Sequence, residues 1–247
     1  MTNHQLLNHQ THSDYRIIAD RSVQLGDSIM HAMVFSRELR SLQAHYPIFF
    51  CKDSDTGNFY PAALFGLEQG ENLFLKNSGW SAGYVPMMVE RQPFLIGFQS
   101  SDGAHNEARE PVVSIDMDSP RVSQETGHRL FNDDNKPSEF LQQSVEVLDA
   151  IHRGHKDNEN LIAALLEHQL IESCSMEVGL ADGSKRKLLG YYTINENTLR
   201  ELSSDALSAL HGSGHLEAIY MMIAALTNMA SLIEKKNALL DPPIPAK

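Results

Sequence analysis

The chain has 247 residues, enough for a substantial buried core in one large domain or two small ones. Apolar residues make up 42% and charged residues 21%, an ordinary globular balance, while a formal net charge of −12 repels phosphate backbones. With no basic run interleaved with aromatics, nucleic acid is excluded as a partner, and no apolar run is read as reaching the roughly 20 residues of a membrane span.

In chain order, residues 1–14 carry His4, His9 and His12 at irregular spacing among polar neighbours and read as a flexible tail. They lack the cationic start and apolar core of a secretory signal. That predicts a cytoplasmic protein, with leaderless surface export as the alternative. Tyr15–Asp20 reads as a short strand or arm, and Ile29–Phe35 as a buried strand with His31 as a core histidine. Ser36 is placed to cap a helix through Tyr46, with Leu39, Leu42 and Tyr46 on one face, and Pro47 turns the chain into a strand. Ile48–Cys51 and Phe59–Phe65 flank Asp53-Ser54-Asp55-Thr56-Gly57, which predicts a hairpin. The Asp-x-Asp-x-Gly string lacks the further oxygen ligands and terminal Glu of a calcium loop. Pro61 predicts an edge position or a bulge. A polar loop then brings the single tryptophan, Trp80, to a helix over Ala82–Gln92, capped by Ser81, with Tyr84, Val85, Met88 and Val89 on one face.

Phe94–Phe98 and Pro111–Met117 read as strands, with Asp116 and Asp118 closing the turn after the second. Ser138 caps a helix through about Arg153. Gly154 is read as its end, and Asp157 or Asn158 as the cap of a second helix through Leu170, giving an antiparallel helical pair. Ile171–Leu180 and Lys187–Ile194 form a second hairpin around Asp182-Gly183. Asn195 or Asn197 caps a short helix and Ser203 or Ser204 the next. Gly212-Ser213-Gly214 interrupts the face that His211 and His215 would need to share a zinc ion. Leu216–Leu240 reads as one long helix burying Ile219, Met222, Ile223, Leu226, Met229, Ala230 and Ile233, and 241–247 as a Pro-rich tail. Cys51 and Cys174 make no CxxC pair and read as reduced thiols.

Several strings follow one another in order along the chain. They are Tyr46-Pro47-Ile48-Phe49-Phe50, Lys52-Asp53, Thr56-Gly57, Ala63-Leu64-Phe65-Gly66-Leu67, Gly70-Glu71-Asn72-Leu73-Phe74, Gly79-Trp80, Tyr84-Val85-Pro86 and Pro93-Phe94-Leu95-Ile96-Gly97. Together they resemble the SapC-like family of bacterial proteins. The similarity continues in Gly127 with Leu130-Phe131, and in Leu188-Leu189-Gly190-Tyr191-Tyr192. The resemblance implies an association with bacterial surface-layer function, including serum resistance. It also implies an accessory role in handling a peptide or small molecule, since family members occur beside flavin halogenase-like and outer-membrane-receptor genes.

The expected fold is a single α+β domain over residues 15–240, a mostly antiparallel sheet of hairpins with chiefly C-terminal helices covering one face. No nucleophile elbow, His-Glu-x-x-His helix, dinucleotide-binding glycine string or phosphate loop is present, so neither a cofactor nor a metal is predicted. The expected function is that of a non-catalytic binding or accessory protein, with Trp80, Tyr84, Met87 and Met88 as ligand-binding residues. Its expected partner is a protein or peptide, such as a flavoprotein or a surface protein. One alternative is an enzyme of unknown reaction, drawing on Asp116, Asp118, His128 and the His152/His155 pair near the Trp80 loop. A second is a structural surface-layer subunit that pairs with another copy through its last helix.

Overall fold

A computed structural model describes residues 3–77, 79–100 and 109–240. The tail expected at 241–247 lies outside them. The N-terminal half runs β1 (His4–Leu6), α1 (His9–His12), β2 (Arg16–Ile17), β3 (His31–Met33), α2 (Leu39–Leu42), β4 (Ile48–Lys52), β5 (Phe59–Leu64), β6 (Leu75–Lys76) and β7 (Gly79–Trp80). Then come α3 (Met87–Glu90), β8 (Phe94–Ser100), β9 (Arg109–Asp116), β10 (Val122–Ser123), β11 (His128–Arg129) and α4 (Glu139–Glu167). The chain closes with β12 (Ile171–Gly179), β13 (Lys185–Ile194), α5 (Glu196–Arg200), α6 (Ser204–Gly212), α7 (His215–Ala225) and α8 (Asn228–Leu240). The fold is α+β, its strands pair antiparallel, and most of its helix lies C-terminal, as the sequence predicts.

The chain divides into two compact units. One comprises Met1–Asp27 and Met87–Arg153, the other Ser28–Pro86 and Gly154–Lys247. The first unit holds two small sheets, ordered β1-β9-β8 and β10-β2-β11. Its core is Ile17, Phe94, Ile115, Leu130, Phe131, Leu141 and Leu148. The segment expected as a flexible tail carries β1, paired with β9 from His4↔Asp116 to Leu6↔Ser114, and α1, where Asn8 caps the helix and His12 is buried. Asn, His and Gln read as tail because periodicity is weak over so few residues. The pairing that orders β1 comes from a strand more than a hundred residues away.

The second unit is built on a five-stranded sheet ordered β12-β13-β4-β5-β3. The hairpin β4–β5 closes as its turn chemistry requires. The Asp53 carboxylate accepts from Asp55 N, Thr56 N and the Thr56 hydroxyl at 2.7–3.1 Å, and Gly57 takes a φ of +73°. Asn195 and Ser203 cap α5 and α6. Pro61, expected at an edge or bulge, instead sits in β5, inside the sheet between β4 and β3. Val34 N still donates to Pro61 O at 2.9 Å. The reciprocal bond of an antiparallel pair needs an N–H that proline lacks. The Asn158 side-chain amide fills the gap, donating to Val34 O at 2.8 Å.

That contact also corrects the helical reading. Gly154 does not end a helix, and Asn158 does not cap one, because α4 runs unbroken through 29 residues. Glycine in a helix interior costs about 1 kcal/mol relative to alanine, which tertiary packing offsets. Here the missing side chain makes room for Phe35, since a Cβ on Gly154 would lie 2.7 Å from the Phe35 ring. Phe35 is fully buried, so the ring has little space to retreat. Gly154→Ala is therefore expected to destabilise the protein by about 1–3 kcal/mol in urea unfolding, despite its better helix propensity. A stabilised variant would show that the ring can move aside.

Three other helices are shorter than their sequence patterns suggest. The one expected from Ser36 through Tyr46 is a 3-10 turn over Ser36–Glu38 followed by α-helix only over Leu39–Leu42. The stretch after Ser81 is helical only over Met87–Glu90, because Tyr84 O is taken by the Tyr46 hydroxyl and Pro86 bars the preceding turn from an α-helical ladder. The long C-terminal helix is interrupted at Leu226-Thr227. There the Asn228 amide donates to Gln43 O and Tyr46 O at 2.8 and 3.1 Å. Taken together, His215–Leu240 is long and apolar enough to cross a membrane by length and composition alone, which corrects the expectation that no segment reaches that length. In the second unit this stretch places Ile219 and Met222 in the core. Its Lys236 is ion-paired at 2.6 Å with Glu68 and with Glu71.

Candidate functional site

The segment leading from β3 into α2 has one face buried and the other open. Phe35, Leu39 and Leu42 are buried, and between them Glu38 is only 4% exposed. A carboxylate in such a place needs donors. Phe35 N and the Tyr84 hydroxyl supply them, each at 3.0 Å. The Tyr84 carbonyl in turn accepts from the Tyr46 hydroxyl, and that hydroxyl accepts from Trp80 Nε1 at 2.7 Å. Burial pushes the Tyr46 phenol far above its usual range, so it remains a donor. The Trp80 ring stands edge-on to Phe65 with centroids 5.3 Å apart and stacks on Phe74 at 6.4 Å. From α4, Asn158 Oδ1 accepts from Ser36 N at 3.0 Å. The inner face of the segment is thus fastened at Phe35, Ser36 and Glu38.

Its outer face presents Arg37 and Arg40, one turn apart. They line a cleft of about 420 Å³ together with Ser36, Asp157 and Asn160 of α4, Ser213 and Gly214, and His215, Glu217, Ala218 and Met221 of α7. Arg37 Nη2 meets Asp157 Oδ2 at 2.5 Å, and Arg40 is paired with Glu217. The four side chains range from 35% to 76% exposed. Ion pairs this open contribute about 0–1 kcal/mol each, so they separate readily for a ligand that offers the same charges. Burial holds the His215 imidazole below its ordinary range, and its Nδ1 has no hydrogen-bond partner. Two further cavities are polar or small. One in the first unit, about 650 Å³, is lined by His9, Asp14, Arg16, Arg129 and Asp133 among others, and an apolar one of about 180 Å³ lies between Ile96, Val113, Val145 and His152.

The residues expected to bind ligand lie elsewhere. Trp80 and Tyr84 belong to the second unit, where their polar ends are engaged by Tyr46 and Glu38. Met87 and Met88 belong to the first, with Met87 7% exposed. None of the four lines any of these three cavities. Of the proposed acid–base groups, Asp116 Oδ1 accepts from Asp118 N at 3.2 Å, which is turn chemistry. His128 stacks on Phe140 at 4.7 Å, His152 lies against Phe98, and His155 meets Phe35 edge-on. No two of these acid–base groups share one of the cavities. Among the described residues, no group of three His, Cys, Asp or Glu side chains is placed to hold a metal ion. Arg37, Arg40, Asn160 and Glu217 carried no sequence signal beyond being polar residues on amphipathic helices, and Asp157 read as a cap.

A second cluster of titratable groups crosses the five-stranded sheet. Cys174 faces Tyr191 on the neighbouring strand, and Cys51 faces Tyr60. The pair Tyr192↔Phe50 sets Tyr191 opposite Cys51, so the four form one row. The two thiols are then two strand spacings apart, roughly 9–10 Å, beyond the reach of a disulfide, and both are free. Burial raises the Cys51 thiol to about 11 and the Tyr191 phenol to about 12, and lifts Tyr60 in the same direction. These groups are protonated and unreactive at neutral pH. In the unfolded chain they ionise at ordinary values, so stability is unaffected below about pH 8.5 and falls as pH rises through 11 to 12. The urea midpoint should drop between pH 8 and 10.5, and Cys51→Ala should flatten that drop. An identical pH profile in the variant would show that Cys51 does not contribute.

The chain belongs to the SapC family, whose model matches residues 7–232 of the 247. Comparison with curated proteins and with solved structures gives no match.

Proposed function

For this SapC-family chain, we propose a non-catalytic binding role, with the cleft of the second unit holding a small charged molecule or peptide in an accessory capacity. The reading rests on one observation. Two weak, solvent-facing ion pairs, Arg37–Asp157 and Arg40–Glu217, sit side by side in a cleft whose walls are fixed from behind by buried hydrogen bonds. A rigid frame carrying readily opened charge pairs favours ligand capture, because little ordering is lost on binding. The Trp80–Tyr46–Tyr84–Glu38 chain enters this reading as the frame that aims Arg37 and Arg40.

The test is saturation-transfer NMR of the full chain with an equimolar mixture of amino acids, short peptides, sugar phosphates and nucleotides. Wild type should show transfer to one class of compound. The double variant Arg37→Gln/Arg40→Gln should lose at least tenfold in affinity with an unchanged thermal midpoint. Equal binding by the double variant would remove the cleft from the proposal.

A further inference from the structure

We propose that the cleft takes a short peptide with both ends free, of about dipeptide length, its carboxylate on Arg37 and its ammonium on Glu217. The inference rests on the cleft reading above and names the chemistry of its ligand. The cleft is charge-balanced, with two guanidinium groups against two carboxylates. A simple anion entering it would leave Asp157 and Glu217 facing added negative charge, and a simple cation would do the reverse to the arginines. A neutral ligand would leave both pairs closed. A zwitterion replaces Asp157 in one pair and Arg40 in the other, and the two displaced groups are themselves of opposite sign, so the cleft stays balanced overall.

Spacing selects among zwitterions. Arg37, in the 3-10 turn Ser36–Glu38, and Arg40, in α2, are three residues apart, which sets their Cβ atoms roughly 5–6 Å from each other. In a free amino acid both charges hang on one carbon, within reach of one pair. In a dipeptide the two Cα atoms lie about 3.8 Å apart and the charged ends extend further, which spans the distance between the pairs. Exposure sets the orientation. Arg37 is 35% exposed and Arg40 76%, so Arg37 is the better ordered guanidinium for a planar carboxylate. The ammonium then falls to Glu217, at the start of the α7 wall. Ala218 and Met221 follow on the same wall and give an apolar patch for a side chain.

Isothermal titration of the full chain with L-leucyl-L-leucine and its N-acetylated, C-amidated and doubly capped forms tests this. The free dipeptide should bind, and each cap should weaken it about tenfold. Arg37→Gln should abolish the effect of the C-terminal amide while retaining that of the acetyl group, and Glu217→Gln should do the opposite. A doubly capped dipeptide that binds as tightly as the free one overturns the charge argument and leaves the cleft reading standing. A free amino acid binding as tightly as the dipeptide overturns the spacing argument. Binding by no dipeptide overturns the inference outright, and the compound mixture above then decides the cleft reading separately.

Discussion

Asp27→Asn is expected to destabilise the protein by about 3–5 kcal/mol, the largest effect of any single conservative change. Arg121 is wholly buried, and its Nη2 lies 2.6 Å from both oxygens of Asp27, which is equally buried. Its Nη1 donates to Ile18 O and Asp20 O at 3.1 and 2.7 Å. Arg21 approaches the same carboxylate at 3.4 Å and donates to Val89 O at 3.0 Å, and Ser22 N donates to Asp27 Oδ2 at 2.9 Å. The Asp27 carboxylate therefore faces two guanidinium groups, with the Glu90 charge also acting on Arg21. Burial, followed by repulsion from Arg121, already pulls Arg21 below its usual range. Asparagine keeps the shape and the bond from Ser22 but removes the charge. Arg121 is then left as an unbalanced cation without water. Guanidinium denaturation measures the loss. Arg121→Met combined with Asp27→Asn should cost less than the sum of the two changes, since the pair is removed together. A loss below about 1 kcal/mol for Asp27→Asn would mean that the interior around Arg121 is wetter than its burial indicates.

Asn158→Ala should cost about 2–4 kcal/mol, and Pro61→Ala should return part of that loss. Removing the amide strands two backbone groups, Val34 O and Ser36 N, at about 1–3 kcal/mol for each buried unsatisfied group. Alanine at position 61 restores an N–H on the strand that faces Val34, so a ladder bond can replace the amide. In wild type the same change should do little, because Val34 O is already served. The two substitutions are thus predicted to interact favourably by about 1 kcal/mol, measured as a double-mutant cycle in urea. Strict additivity would mean that Asn158 and Pro61 act independently.

This pair shows why some readings succeed from sequence and others do not. Asn158 reads as an N-cap because asparagine is a good cap and a glycine precedes it by four residues. Its partners are Val34 and Ser36, more than 120 residues upstream, and nothing local reveals them. Pro61 reads as an edge residue because proline lacks the ladder donor. Its inner place is tolerated because that one donor is supplied from another element. The cleft is hidden for the same reason. Arg37, Asp157 and Glu217 are each unremarkable surface residues on separate helices, and only the tertiary arrangement brings them together.

By itself, the chain's order of residues determined what is decided within a few neighbours. That covers the Asp53–Gly57 and Asp182–Gly183 turns, the cap at Ser138, the caps of α5 and α6 to within two candidates each, the α+β class and the family. These depend on backbone dihedrals and on side chains two or three residues away, so local chemistry suffices. The tertiary structure alone decided the continuity of α4 past Gly154, the strand at His4–Leu6, the buried Asp27–Arg121 pair and the charged cleft. Each of these depends on a partner distant in sequence, whose contribution outweighs a local preference of about 1 kcal/mol.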